Sequence, residues 1–252
     1  MSGFIHESVT VPASVTMGEN VVVLAGVELG EDVAIGHNVV IYEGTALGRG
    51  TVVGDGAVVG KQPKPPKTST LSYSEPFAPL VVGEGCTIGS GAILYAGSTI
   101  GDNSMVADLA SVRESCEIGD YALIGRGVCV ENGVTVGDYT KVQSNAYITA
   151  YTVLEDRVFI APCVATTNDN FMGRTEKRFE SIKGAHVKRG ARVGGNAVLL
   201  PGIVIGEEAF IAAGSVVTKD VPAKKLVMGV PAKVVRDVPD DELLTAKNNS
   251  LS

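Results

Sequence analysis

Residues 110–130 read Ala110-Ser111-Val112-Arg113-Glu114-Ser115-Cys116-Glu117-Ile118-Gly119-Asp120-Tyr121-Ala122-Leu123-Ile124-Gly125-Arg126-Gly127-Val128-Cys129-Val130. A large aliphatic residue recurs every six positions, at Val112, Ile118, Ile124 and Val130, and a small or β-branched residue stands two before each, at Ala110, Cys116, Ala122 and Val128. A spacing of two puts both side chains on one face of a strand. A period of six fits neither an α-helix nor an uninterrupted alternating strand. It fits a short strand followed by a tight corner, where Gly, Asn and Asp tolerate positive φ. The arrangement that satisfies both is a parallel β-helix, in which each strand pairs with its copy one coil away, about 4.8 Å along the axis. A fixed short period is the mark of a solenoid.

The same frame extends from Val82 to Ile160, an earlier run goes from Ile5 through Val11, Met17 and Val23 to Val59, and a third goes from Val187 to Val217. Composition agrees: 31 glycines fit many corners, and the absence of Trp fits a narrow interior. Two stretches break the period. Residues 61–80 carry five prolines, which forbid regular sheet pairing and imply an extruded loop. That loop is either a plain connector or, with Lys61, Lys64 and Lys67, a basic arm over an anionic ligand. The second break, 166–186, holds Thr166-Thr167-Asn168-Asp169-Asn170-Phe171-Met172-Gly173-Arg174, and a long insertion in a compact repeat is often functional. The expected organisation is therefore coils at 1–60, 81–165 and 187–222, inserted loops at 61–80 and 166–186, and a C-terminal extension at 223–252 in which Pro239-Asp240-Asp241-Glu242 opens a short helix.

The net charge of −7 argues against a nucleic-acid partner, which needs a basic footprint. Residues 1–60 contain seven acids and one base, whereas 171–236 contain twelve bases and five acids. The basic segment is either a solvated surface or a face for a polyanionic ligand. Of the four cysteines, Cys86 and Cys116 fall on the small inward position, which is ordinary core placement. With no CxxC pair, neither a zinc knuckle nor a redox pair is signalled. No apolar run approaches a membrane span and no signal-like segment precedes the repeat, so the expectation is a cytoplasmic protein with no membrane partner.

The hexads, the inserted loop and the segment Ile205-Gly206 … Gly214-Ser215-Val216-Val217-Thr218-Lys219-Asp220-Val221-Pro222 … Gly229-Val230-Pro231-Ala232 together resemble the hexapeptide acyltransferases. That resemblance implies a left-handed β-helix, a homotrimer and acetyl-CoA as co-substrate with no metal. A narrower set, Lys141-Val142-Gln143-Ser144-Asn145, Leu154 to Phe159, Pro162, Thr167-Asn168, Arg174 and Val187 to Ala191, resembles the nucleotide-sugar N-acetyltransferases, which acetylate an amino group on a dTDP- or UDP-linked amino sugar. By that resemblance, Gln143 and Asn145 bind and orient the sugar and its amine, and Ala213, Lys219, Pro231 and Arg236 form the acetyl-CoA strip, with the two cations meeting phosphates.

Transfer of an acyl group from a thioester to an amine needs a neutral, aimed amine and a donor for the oxyanion. Asn168, Asp169 and Arg174 have the chemistry to read sugar hydroxyls or an anionic group, Arg through its bidentate fork; the alternative is a loop bonded to itself through Asx turns. Asn145 has a competing role as a corner residue. Glu131 shares a column with Arg113, one three-sided coil of 18 residues away, so it either contacts substrate or pairs with that arginine. His186 is a candidate base, the group expected of relatives that acetylate hydroxyls, or a structural residue. Other readings are an O-acyltransferase or another N-acyltransferase of the same fold, a metal-dependent carbonic anhydrase, which needs three converging His ligands where His6, His37 and His186 lie in separate regions, and a non-catalytic binding scaffold.

Overall fold

In the computed structural model, described for residues 3–69 and 73–244, the chain winds as a three-sided parallel β-helix. This is the left-handed β-helix architecture expected above. The chain visits three faces in turn. Face 1 is an 11-stranded sheet that begins at Phe4–Ile5, face 2 a 9-stranded sheet that begins at Glu28–Leu29, and face 3 a 12-stranded sheet that begins at Thr16–Met17. Most strands are two residues long. Pairing is in register between residues 18 apart, for example Ser111 with Cys129 and Val112 with Val130.

The hexad explains each feature. The second strand residue and the small residue two before it point inward, so Val112, Ile118, Ile124, Val130, Ala110, Cys116, Ala122 and Val128 are all buried in one continuous core. The corner residue, three after each inward aliphatic, lies in the left-handed region: Gly97, Asn103, Leu109, Ser115, Tyr121, Gly127, Gly133, Tyr139, Asn145 and Tyr151 all have positive φ. The first strand residue and the residue after the strand donate N–H to the next coil, as Glu28 does to Thr45 and Gly30 to Leu47.

That last rule accounts for one departure. Val11 fits the period, yet no strand forms there, and face 2 starts one coil late at Glu28–Leu29. The position after Val11 should donate an N–H to the next coil, but it is Pro12, which has none.

The C-terminal extension holds a second departure. After the last hexad, Lys225–Gly229 continues face 3 and turns back as Ala232–Asp237 in an antiparallel hairpin that caps the solenoid. The short helix expected from Pro239 is a single 3-10 turn, Asp240–Glu242. The chain then folds back, with the Leu244 N–H donated to Glu208 Oε1 at 2.8 Å; residues 245–252 lie outside the described residues. Among the described residues no helix is long and apolar enough to cross a membrane.

Candidate active site

The three edges of the prism carry different chemistry. Edge 1–2 follows each strand of face 1. Both inserted loops leave the solenoid on this edge, the first after Val58–Lys61 and the second after Ala165–Thr166. Two amide contacts close the neck of the first loop: Gln62 Nε2 donates to the Phe77 carbonyl at 2.8 Å, and the Phe77 N–H to Gln62 Oε1 at 3.0 Å. Phe77 then lies against Gly97, where an added Cβ would come within 2.8 Å of its ring. The second loop is closed by the Lys183 N–H bonded to the Asn168 carbonyl at 3.1 Å, and it carries the one-turn helix Arg178–Ser181.

Beside the second loop is a cleft of about 220 Å³ lined by Glu131, Asn132, Tyr147, Thr149, Ala150, Tyr151, Asn168, Asp169, Arg178 and Ile182. The 18-residue repeat stacks Glu114, Asn132, Ala150 and Asn168 in one column and Arg113, Glu131, Thr149 and Thr167 in the next. The small residues in these columns open the trough. At Gly133 a Cβ would meet the Tyr151 ring at 3.0 Å, so the glycine lets that ring lie along the edge.

Charge in and beside the cleft is arranged in two groups. At one end the Arg113 guanidinium grips Glu114 with two bonds, Nε to Oε2 at 2.8 Å and Nη2 to Oε1 at 2.9 Å, and reaches Glu131 Oε2 only at 3.4 Å. The Tyr73 hydroxyl, from the first loop, donates to Glu114 Oε1 at 2.5 Å. Burial of Glu114 works to raise its pKa, but the bonds from Arg113 and Tyr73 outweigh it and hold the carboxyl below the usual range. Burial and the bonded Glu114 push Tyr73 up to about 12, and Tyr151 adds to that push, which ties the first loop to the cleft wall. Tyr147 is raised by burial and then by the Glu131 charge.

At the other end Asp169 accepts the Phe171 N–H at 2.8 Å and the Gly173 N–H at 2.9 Å, and Arg178 stands 3.6 Å away. Those backbone bonds, first Gly173 and then Phe171, hold its pKa low. The loop is therefore bonded to itself through Asp169, the alternative weighed for it, while the same residue lines the cleft. Arg174 is exposed outside the cleft, and the arginine that lines it is Arg178, one helical turn on. Arg178 Nε is buried without a hydrogen-bond partner.

The remaining candidates lie elsewhere. Gln143 and Asn145 are on edge 3–1, and Asn145 is a corner residue with φ 60° whose side chain covers Gly127. Ala213 is on that edge too, and the hairpin turn with Pro231 is tied to it through the Gly229 N–H bonded to Ser215 Oγ at 3.2 Å. Lys219 is exposed on edge 1–2, two coils beyond Asn168, and Arg236 is exposed on the hairpin over face 3. His186 is on face 2, where Nε2 lies 2.7 Å from Glu155 Oε1, while Glu155 Oε2 accepts the Arg189 N–H at 2.9 Å. Burial works to raise Glu155, but the Arg189 N–H and His186 outweigh it and leave it low. Among the described residues no group of three or more His, Cys, Asp or Glu stands together as a metal site. Sequence reasoning missed Tyr73, Glu114, Asn132, Tyr147, Tyr151 and Arg178. Adding 18 backwards from Asn168 finds Asn132 and Glu114; nothing in the sequence places Tyr73.

Comparison with known proteins agrees with the fold. A stretch of 77 residues is 46% identical to a Staphylococcus aureus (strain COL) protein provisionally named an acetyltransferase, covering 31% of this chain and 38% of that one. A stretch of 48 residues is 54% identical to the 2,3,4,5-tetrahydropyridine-2,6-dicarboxylate N-acetyltransferase of Enterococcus faecalis, covering 19% of this chain and 21% of that one. The chain thus spans well under half the length of the curated relatives it matches. The crystal structure of Arabidopsis UDP-N-acetylglucosamine acyltransferase superposes with a TM-score of 0.54 at 18% identity, covering 99% of this chain and 78% of that one, a likeness of fold. A hexapeptide repeat of succinyl-transferase matches 79–107. The bacterial transferase hexapeptide model (six repeats) matches 26–61, 97–132, 115–150 and 184–219, together half of the chain, and the chain belongs to this hexapeptide-repeat transferase family.

Proposed function

We propose that the chain is an acyltransferase that moves an acetyl group from acetyl-CoA to the amino group of a nucleotide-linked amino sugar, acting in the cytoplasm as a homotrimer and without a metal. The observation that carries this reading is the polar cleft on edge 1–2, where Glu131 and Asn132 converge with Asn168 and Arg178 of the second loop although the sequence separates them. Amide, carboxylate and guanidinium groups beside two tyrosine rings suit a sugar and its anionic substituent. Asn168 and Asp169 orient the sugar, and Arg178, with a donor left unpaired, meets the anion. The amine attacks as the neutral form, so orientation and backbone donors supply most of the rate.

The donor strip of Ala213 and Pro231 shares edge 3–1 with Gln143 and Asn145, whereas the cleft is on edge 1–2. One chain cannot bring two edges of its own prism together, but a neighbouring copy can set its edge 3–1 against this cleft, which is why a trimer is proposed. Lys219 and Arg236 then serve the donor's phosphates.

Thiol release from acetyl-CoA, measured with dTDP- and UDP-linked 3-amino and 4-amino sugars in turn, tests the reading. Turnover with at least one is expected, and inertness toward all four removes it. Light scattering should give a trimer. The His186–Glu155 contact favours a second reading, base-driven acetylation of a hydroxyl. Under the first reading His186→Ala lowers kcat by only a few-fold; a loss of about 100-fold or more, the range of general-base catalysis, would favour the second.

A further inference from the structure

The first inserted loop, far from the second in sequence, reaches the same cleft through a chain of charged contacts. Tyr73 bonds Glu114, Glu114 takes both prongs of Arg113, and Arg113 is left with one long contact to Glu131. Glu114 is buried, so its charge is matched by Arg113 and Tyr73 rather than by water. Arg113 therefore compensates Glu114 fully and Glu131 poorly. Of the two carboxylates that line the cleft, Asp169 has each oxygen bonded to a backbone N–H of its own loop, whereas Glu131 is held by the long Arg113 contact and faces the cavity. The other ionisable groups around Glu131 are Tyr147, on the next coil of face 1, Cys129, in register with Tyr147, and Tyr95, whose ring carries Arg113 at 5.2 Å and Lys61 at 5.8 Å. Arg178 and Tyr151 stand across the cleft.

We propose that Glu131 is the carboxylate that takes the proton from the acceptor amine, and that Tyr73 is a positioning residue that sets Glu131 through Glu114 and Arg113. This rests on the amine-acetylation reading. As the C–N bond forms, the amine nitrogen gains positive charge, and Glu131 is placed to stabilise that charge and accept the proton. The C–S bond breaks with its electron pair on sulfur, and the thiolate recovers the proton from Glu131 through solvent. The sum is R–NH2 + CH3CO–S–CoA → R–NH–COCH3 + HS–CoA. The Pro-rich insertion then acts on the site through Tyr73 and is more than a connector.

The test is a double-mutant cycle with Tyr73→Phe and Glu131→Gln, assayed by thiol release with each amino sugar of the panel above. Glu131→Gln should lower kcat by about 100-fold with KM for acetyl-CoA unchanged. Tyr73→Phe should lower it by about 5-fold, and the double variant should be no worse than Glu131→Gln alone, because coupled residues are not additive. Additive losses, or a Glu131→Gln enzyme within about threefold of wild type, overturn the proposal. A second arm needs no substrate. In 13C-glutamate NMR, with the Glu131 signal assigned by its loss in Glu131→Gln, Tyr73→Phe lets Glu114 draw Arg113 closer and so changes the Glu131 carboxyl chemical shift at neutral pH. An unmoved signal overturns the relay. If all four sugars are inert, the acetylation reading and the proton role of Glu131 fall together, while the NMR arm still decides the relay.

Discussion

Edges 3–1 and 1–2 are built from the same hexads, yet the polar cleft lies on edge 1–2. On edge 3–1 the corners pass directly from strand to strand, and each corner residue stacks on the one below, as Asn145 covers Gly127. On edge 1–2 the column Gly97, Ser115 and Gly133 is small, and Phe77 and Tyr151 occupy the space it leaves. The inward ladder is indifferent to this difference, because its contacts are made by residues 18 apart and not by what leaves the corner. A solenoid can therefore extrude a loop at any edge with little damage to the core, and chemistry collects where two such loops leave the same edge.

The largest expected effect is on what the edges share. Leu154 is fully buried in the ladder, and Leu154→Ala should cost about 3 kcal/mol in urea unfolding. A loss below about 1 kcal/mol would mean that coils open separately, as one-dimensional repeat stacks allow, and that the edges do not share one core. Next is the contrast in function. Asp169→Ala should lower kcat/KM for the acceptor by about 100-fold and leave the melting temperature within a degree or two. An equal loss from Asn145→Gly would break the contrast between the edges.

A smaller effect is on pH dependence. Glu114 has a folded-state pKa below its unfolded one. Its contribution is therefore fully present above the unfolded carboxylate pKa, near 4.3, and is lost as pH falls through the lower folded value. Glu114→Gln should weaken folding at neutral pH by about 2 kcal/mol, in the range for hydrogen bonds to a charged group, and flatten the loss of stability on acidification. An unchanged acid limb would show that Glu114 is not held low. The smallest effect is at the bare corner. Asn145→Gly should cost well under 1 kcal/mol, since glycine accepts positive φ, whereas Asn145→Ala should cost about 1 kcal/mol because it does not. If Asn145→Gly abolishes thiol release with the fold intact, Asn145 has the substrate role its resemblance implies.

The ladder was legible because a single chain suffices to write it: any residue at an inward hexad position meets its own copy one coil away, so period and burial carry the same information. Val11 shows the limit even there, since Pro12 cancels the strand through one missing N–H. Three of the ten residues that line the candidate cleft were legible as well. Asn168, Asp169 and Glu131 drew attention by residue type, and the column rule links Asn168 to Asn132. Arg174 was chosen where Arg178 does the lining, because the aim of a loop side chain depends on a one-turn helix that four residues of sequence do not announce.

By itself, the sequence determined the three-sided β-helix and its two interruptions, since both are properties of spacing along one axis, and its motifs carried the resemblance to the family. Only the tertiary structure decided that both loops leave the same edge, that Tyr73 reaches Glu114, and that His186 pairs with Glu155 on another face. The physical reason is that winding turns distance along the chain into an angle around the prism and a height along it. Loops have no such rule, and their side chains find partners by the closure of each loop on the edge it leaves.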